Sequence, residues 1–136
     1  MGTLKESLMR AEGLRLKLYR DTENFWSIGY GRCLDKRGIT QVEAEYLLDN
    51  DIDAAKKQYE QLPGWVKSKC NEIRREVIIE MIFQLGLGGV LKFKKMLAAI
   101  QAGDFDKAAE EMLASRWHEQ TPARCEELSE RMRAGV

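Results

Sequence analysis

Ala11-Glu12-Gly13-Leu14-Arg15-Leu16-Lys17-Leu18-Tyr19-Arg20-Asp21-Thr22-Glu23-Asn24-Phe25-Trp26-Ser27-Ile28-Gly29-Tyr30-Gly31 contains a whole hairpin written in residue types. Leu14 to Tyr19 alternates apolar and charged side chains at the two-residue period of a strand. Asp21-Thr22-Glu23-Asn24 is a turn tetrad, because short polar side chains can satisfy backbone groups where the chain reverses. Phe25 to Tyr30 then returns as the second strand. Upstream, Thr3-Leu4-Lys5-Glu6 has capping-box form, Leu4, Leu8 and Ala11 share one helical face, and Glu12-Gly13 ends that helix.

Downstream, a second box, Thr40-Gln41-Val42-Glu43, opens a helix running to about Tyr59, with Val42, Ala44, Tyr46, Leu47, Ile52, Ala55 and Tyr59 as its apolar stripe. At roughly 1.5 Å per residue it spans about 27 Å, long enough to be a strut between two lobes. Leu62-Pro63-Gly64 stops it. Helical patterning alone follows. Ile73, Val77, Ile78, Met81, Ile82 and Leu85 predict a buried helix that runs out at Gly86-Leu87-Gly88-Gly89, and Phe93, Met96, Leu97 and Ile100 predict another, closed by Gly103. Asp104 caps a further one with Phe105, Ala108, Ala109, Met112 and Leu113 inward, and Thr121-Pro122 starts the last. The fold class is α+β, mostly helical: a small lobe over 13–59 holding the hairpin and connecting helix, and a helical lobe over 60–136.

The composition fits one globular unit. The chain has 136 residues, 44% apolar and 32% charged, and its 22 Lys plus Arg balance 22 Asp plus Glu to zero formal charge. Long-range attraction to nucleic acid is therefore not built in, and no nucleic-acid partner is expected. Cys33, Cys70 and Cys125 are far apart and odd in number, which fits a reducing compartment of synthesis better than a disulfide framework. Charges recur through the first twenty residues, leaving no apolar stretch for a signal peptide or a membrane span.

Two carboxylates stand out by position. Glu12 ends the first helix and Asp21 follows nine residues later, just past one strand. A glutamate shielded by apolar neighbours keeps its proton for donation while an aspartate on a wet turn stays ionised, a division that suits acid and base at a glycosidic bond. Ser27, six residues beyond Asp21 on the returning strand, can hold a water beside that carboxylate. In a chain with 22 acids, two neighbouring carboxylates are more commonly solvated surface groups, so the pair alone leaves the bland reading standing.

The whole string from Ala11 to Gly31 resembles the catalytic segment of the phage-type lysozymes, glycoside hydrolase family 24: a Glu, an Asp nine residues on, then a Thr six further. Thr40 to Ala55, Phe83-Gln84-Leu85-Gly86, Ser115-Arg116-Trp117, Gln120-Thr121-Pro122 and Arg124 look like the same family in the same order. The resemblance implies a lysozyme-like fold in which helix 3–12 belongs with the helical lobe. It also implies hydrolysis of the β-1,4 bond between N-acetylmuramic acid and N-acetylglucosamine in bacterial peptidoglycan by an endolysin. It assigns Glu12 as general acid, Asp21 and Ser27 as the pair that places the attacking water, Arg124 as a partner of the glutamate, and Gln84, Arg116 and Glu23 as substrate-binding positions. Serine stands where the family has threonine; it keeps the hydroxyl and loses the methyl that restricts its rotamer.

Other implied features are synthesis in the host cytoplasm, release through a holin-type pore to reach the wall from the periplasm, a monomer without stable membrane insertion, no cofactor and no metal. Two departures bear on geometry. Only seven residues separate Arg32 from Thr40, where larger members insert a longer hairpin and loop, and Arg32 replaces a histidine of the best-known member. The chain also ends at Gly135-Val136, about where larger members add a short helix. His118 reads as a surface residue, having no ligand-spaced companion, and Trp26, Trp65 and Trp117 read as core. Arg74-Arg75 with Lys92, Lys94 and Lys95 reads as solvated helix face. The alternatives are a lytic transglycosylase, which would leave an anhydro sugar, and a non-catalytic wall-binding or virion structural protein that retains the fold.

Overall fold

The computed structural model describes residues 2–136. Its elements are α1 (Leu4–Glu12), β1 (Arg15–Arg20), β2 (Trp26–Gly29), β3 (Arg32–Cys33), α2 (Leu34–Arg37), α3 (Gln41–Glu60), α4 (Gly64–Lys67), α5 (Glu72–Leu91), α6 (Lys94–Gln101), α7 (Phe105–Leu113), α8 (Arg116–Gln120) and α9 (Pro122–Ala134). The fold is α+β and mostly helical, as the pattern predicts. Contacts group the chain into two units that divide within α3, one reaching Leu47 and the other Leu48–Val136.

In the first unit the capping box of α1 forms as read: Thr3 Oγ1 accepts from the Glu6 amide at 3.1 Å, and Glu6 Oε2 accepts from the Thr3 amide at 3.3 Å. Gly13, at φ 72°, ends the helix in a conformation that disfavours a side chain. The hairpin closes with Tyr19 opposite Ser27 and Arg20 opposite Trp26. A third strand follows that alternation did not reveal: β3 pairs with β2, Cys33 opposite Ser27 and Arg32 opposite Ile28. Two residues are too short to show a period. The stripe expected on α3 is corrected in its first half, where Val42, Tyr46 and Leu47 are exposed; only Ala55 and Tyr59 of that helix are buried.

The second unit holds the hydrophobic core. Val77, Ile78, Met81 and Ile82 of α5 bury against Met96 and Ile100 of α6, Ala108 and Met112 of α7, Trp117 of α8, and Leu128 and Met132 of α9. α7 packs on α6 and α9, and α9 also packs on α5. Asp104 caps α7 through the Lys107 amide at 3.0 Å. Within α5, Gly86 adopts φ 77° and ψ 162°, so the helix breaks there and resumes over Leu87 to Leu91 instead of ending at the glycine cluster. Between α7 and α9, α8, only five residues long, is too short to show a helical period in the sequence. Leu113 points outward, 40% exposed, and Trp26 and Trp65 are also partly exposed; of the three tryptophans only Trp117 belongs to the core.

The C-terminal helix is tied down by a residue expected to be solvated. Arg74 donates from Nε to the Met132 carbonyl at 2.7 Å and from Nη2 to that of Arg133 at 2.9 Å, while its guanidinium stacks 3.5 Å over the Phe105 ring. Asn71 Nδ2 adds a bond to the Gly135 carbonyl at 3.0 Å. These donors satisfy the terminal carbonyls that a helix end leaves open. The three cysteines are free thiols, and burial pushes those of Cys70 and Cys125 up from their ordinary range, which keeps them protonated and unreactive.

Candidate active site

Asp21 sits where β1 ends and the chain reverses. Its Oδ1 accepts from the amides of Glu23 and Phe25, both at 2.9 Å, and its own amide donates to the Phe25 carbonyl at 2.9 Å. Asn24, at φ 68°, supplies the left-handed residue of the turn, and its amide returns to the Asp21 carbonyl at 2.9 Å. The carboxylate is thus oriented by backbone. Both amides meet one oxygen, which leaves Oδ2 for another ligand. Glu23, on the same turn, is an exposed acid whose nearest cation is Lys36 Nζ at 3.5 Å.

Ser27 is the most enclosed polar residue of this unit, 2% exposed, because it lies on the central strand between Tyr19 and Cys33. Residues directly opposite across a sheet share a face, so Tyr19, Ser27 and Cys33 do so, and Asp21 follows directly after the end of β1. Glu12 is exposed, which corrects the expected shielding by apolar neighbours: α1 buries none of its residues. Its carboxylate instead lies against the backbone of the β2–β3 turn. Gly31 takes φ +71°, and a Cβ built there would lie 2.8 Å from the Glu12 carboxyl carbon and 3.2 Å from its Cγ. Only hydrogen fits between them.

Arg32, next in the chain, is locked by its side chain. Nη1 donates to the Gly38 carbonyl and to Glu43 Oε1, each at 3.0 Å, and Nη2 donates to Glu43 Oε2 at 2.7 Å. Glu43 is itself fixed by the capping box of α3, its Oε1 accepting from the Thr40 amide at 2.8 Å and its amide donating to Thr40 Oγ1 at 3.1 Å. The Arg32 hydrogen bonds, followed by that of the Thr40 amide, hold the Glu43 carboxyl down at about 2. A depressed carboxyl stabilises the fold above its ordinary range and loses that contribution only as pH falls toward 2, so the pair persists wherever an enzyme is assayed. No local pattern marks this pairing, since its members stand eleven positions apart across a shortened connection.

In the helical unit Gln84 and Trp117 form one assembly. Trp117 Nε1 donates to Gln84 Oε1 at 3.0 Å, Gln84 Nε2 donates to Thr121 Oγ1 at 3.3 Å, and the Trp117 ring meets Phe93 edge-on at 6.1 Å. These aromatics floor a recess of about 600 Å³ whose rim includes Lys94, Lys95, Ser115, Arg116 and Gln120. Gln84 therefore fixes the recess wall, and Arg116 is exposed at its edge. Arg124 lies 3.9 Å from Glu80 Oε1 on α5, beside the tighter Arg131–Glu80 pair at 3.3 Å. His118 is a surface residue paired with Glu126 at 3.2 Å.

Comparison with known proteins places these residues in context. The family model described as phage lysozyme matches residues 9–134. A relative named probable T4-type lysozyme 1, from Dictyostelium discoideum, is 32% identical over 91% of this chain and 89% of its own length. The pre-baseplate central spike protein Gp5 of Enterobacteria phage T4 is 32% identical over 93% of this chain, which corresponds to 27% of that longer protein. An endolysin of Bacillus phage B103 is 31% identical over 79% of this chain and 41% of its own length.

Proposed function

The chain belongs to the phage lysozyme family, a muramidase by that membership, and from that premise we propose that it hydrolyses the β-1,4 bond between N-acetylmuramic acid and N-acetylglucosamine, with Glu12 as general acid. Glu12 gives its proton to the glycosidic oxygen as the bond from C1 to that oxygen breaks. A water held by Asp21 Oδ2 and the Ser27 hydroxyl adds to C1 from the opposite face and passes a proton to Asp21. The products are a free hydroxyl on the leaving sugar and an inverted hemiacetal. The observation that carries this reading is the Asp21 turn, where two backbone amides orient one carboxylate at the end of β1, the strand on which Tyr19 lies opposite the enclosed Ser27.

Gln84 and Arg116 are proposed to hold acetamido or peptide groups of the glycan, Glu23 to contact it from the hairpin turn, and Arg124 to serve as the cation partner of the acid. Among the described residues no helix is long and apolar enough to cross a membrane. Synthesis in a host cytoplasm, holin-dependent access to the wall and action as a monomer complete the proposal. The likeness to a central spike protein favours virion delivery as a second route, which detection of the chain in purified particles would establish.

The test is loss of turbidity of outer-membrane-permeabilised Gram-negative cells followed by mass analysis of the released sugars. Hydrolysis yields a product one water heavier than the anhydro sugar of a transglycosylase; anhydro products, or no clearing, would overturn the reading. Gly31→Ala supplies a second check. The left-handed backbone costs roughly 1–2 kcal/mol with a side chain, and the atoms in the way belong to a flexible side-chain end, so the fold survives. The Glu12 carboxylate must move, and clearing should fall about 100-fold, a loss well beyond what the lowering of the denaturation midpoint by that backbone strain would cause in a protein that stays folded.

A further inference from the structure

We propose that Arg32 is a positioning residue for the proton donor: its grip on Glu43 and on the Gly38 carbonyl fixes the β2–β3 turn so that Gly31 seats the Glu12 carboxylate. The inference rests on the reading of Glu12 as the acid and adds to it the device that aims it.

The turn has little else to hold it. β3 contains only Arg32 and Cys33, and a two-residue strand contributes too few ladder bonds to define the position of the loop before it. Gly29 and Gly31 both occupy φ +71°, a conformation that glycine visits freely and also leaves freely. The side chain of Arg32 removes that freedom. It makes three hydrogen bonds in the plane of one guanidinium, two to a carboxylate and one to the carbonyl that ends α2. Because Glu43 sits in the first turn of the twenty-residue α3 and is capped by Thr40, the anchor is a long helix. The chain of constraint therefore runs from α3 through Glu43 to Arg32, then through one peptide bond to Gly31, against which the Glu12 carboxylate lies. The planar fork matters, since a lysine ammonium can meet Glu43 but cannot hold it in two parallel bonds while also reaching Gly38.

A misplaced acid lowers the rate of the chemical step without weakening the grip on the glycan, so the signature is a split between kcat and KM on soluble peptidoglycan fragments. Arg32→Met and Glu43→Gln should each lower kcat about 10- to 100-fold with KM within about twofold, measured well below the melting temperature of each variant. Their double variant should lose no more than either alone, because both remove one device. Arg32→Lys should recover part of the kcat and serves as the informative variant if Arg32→Met fails to fold. Unchanged kcat in folded Arg32→Met or Arg32→Lys, with only a lower melting temperature, would show a merely structural pair and overturn the proposal. Glu12→Gln run in parallel separates the two claims: an inactive Glu12→Gln beside an active Arg32→Met sinks the positioning role alone, and an active Glu12→Gln sinks the acid assignment on which it stands.

Discussion

Asp21→Asn should lower wall clearing by about 10²- to 10⁴-fold and leave the fold intact. The amide oxygen of asparagine can accept the same two bonds, from the amides of Glu23 and Phe25, that Oδ1 of Asp21 accepts at 2.9 Å, so the turn keeps its geometry. The variant loses a negative charge and a proton acceptor on the other oxygen, which are the two properties needed to orient a water and take its proton. Asp21→Ala differs in an instructive way. It removes both acceptor bonds and should cost about 1–2 kcal/mol of stability on top of the same loss of activity. The two variants, compared by clearing rate and by chemical denaturation, separate the carboxylate's structural role from its chemical one. Equal clearing by Asp21→Asn and the wild type would remove Asp21 from the mechanism.

How much of this was legible beforehand depends on the range of the interaction. The hairpin and the capping boxes at Thr3 and Thr40 are local devices whose partners lie within a few residues, and sequence pattern found them. The third strand escaped because two residues, Arg32 and Cys33, are too few to show alternation, and Arg32 is fixed by an ion pair with α3. The break at Gly86 was visible as a glycine cluster, but the helix resumes beyond it, which the apolar count could not show. Val42, Tyr46 and Leu47 carry the right period for a buried stripe and lie exposed, since periodicity marks a face without stating what covers it. Arg74 looked like part of a charged surface and instead caps the end of α9, a contact across more than fifty residues.

The site divides in the same way. Glu12, Asp21 and Ser27 were marked by spacing and chemistry, and their likeness to a known catalytic segment raised them above the other acids of the chain. Their supports were not legible. The two amides that aim Asp21 follow from a turn conformation that includes a left-handed Asn24, and the seat for Glu12 is the missing side chain of Gly31. The family resemblance marks Gln84 as a substrate-binding position; the structure adds that its amide braces Trp117, a role that needs the tertiary fold to bring the two together.

The central claim is that one proton donor drives the cleavage, and Glu12→Gln tests it most directly. Glutamine keeps the size and shape of the side chain beside Gly31 and cannot transfer a proton to the leaving oxygen. The rate at which new reducing ends appear in purified peptidoglycan, at matched concentrations of folded protein, should fall by about 10²- to 10⁴-fold or more while the variant still sediments with the wall. Reducing ends released by Glu12→Gln at the wild-type rate would contradict the account.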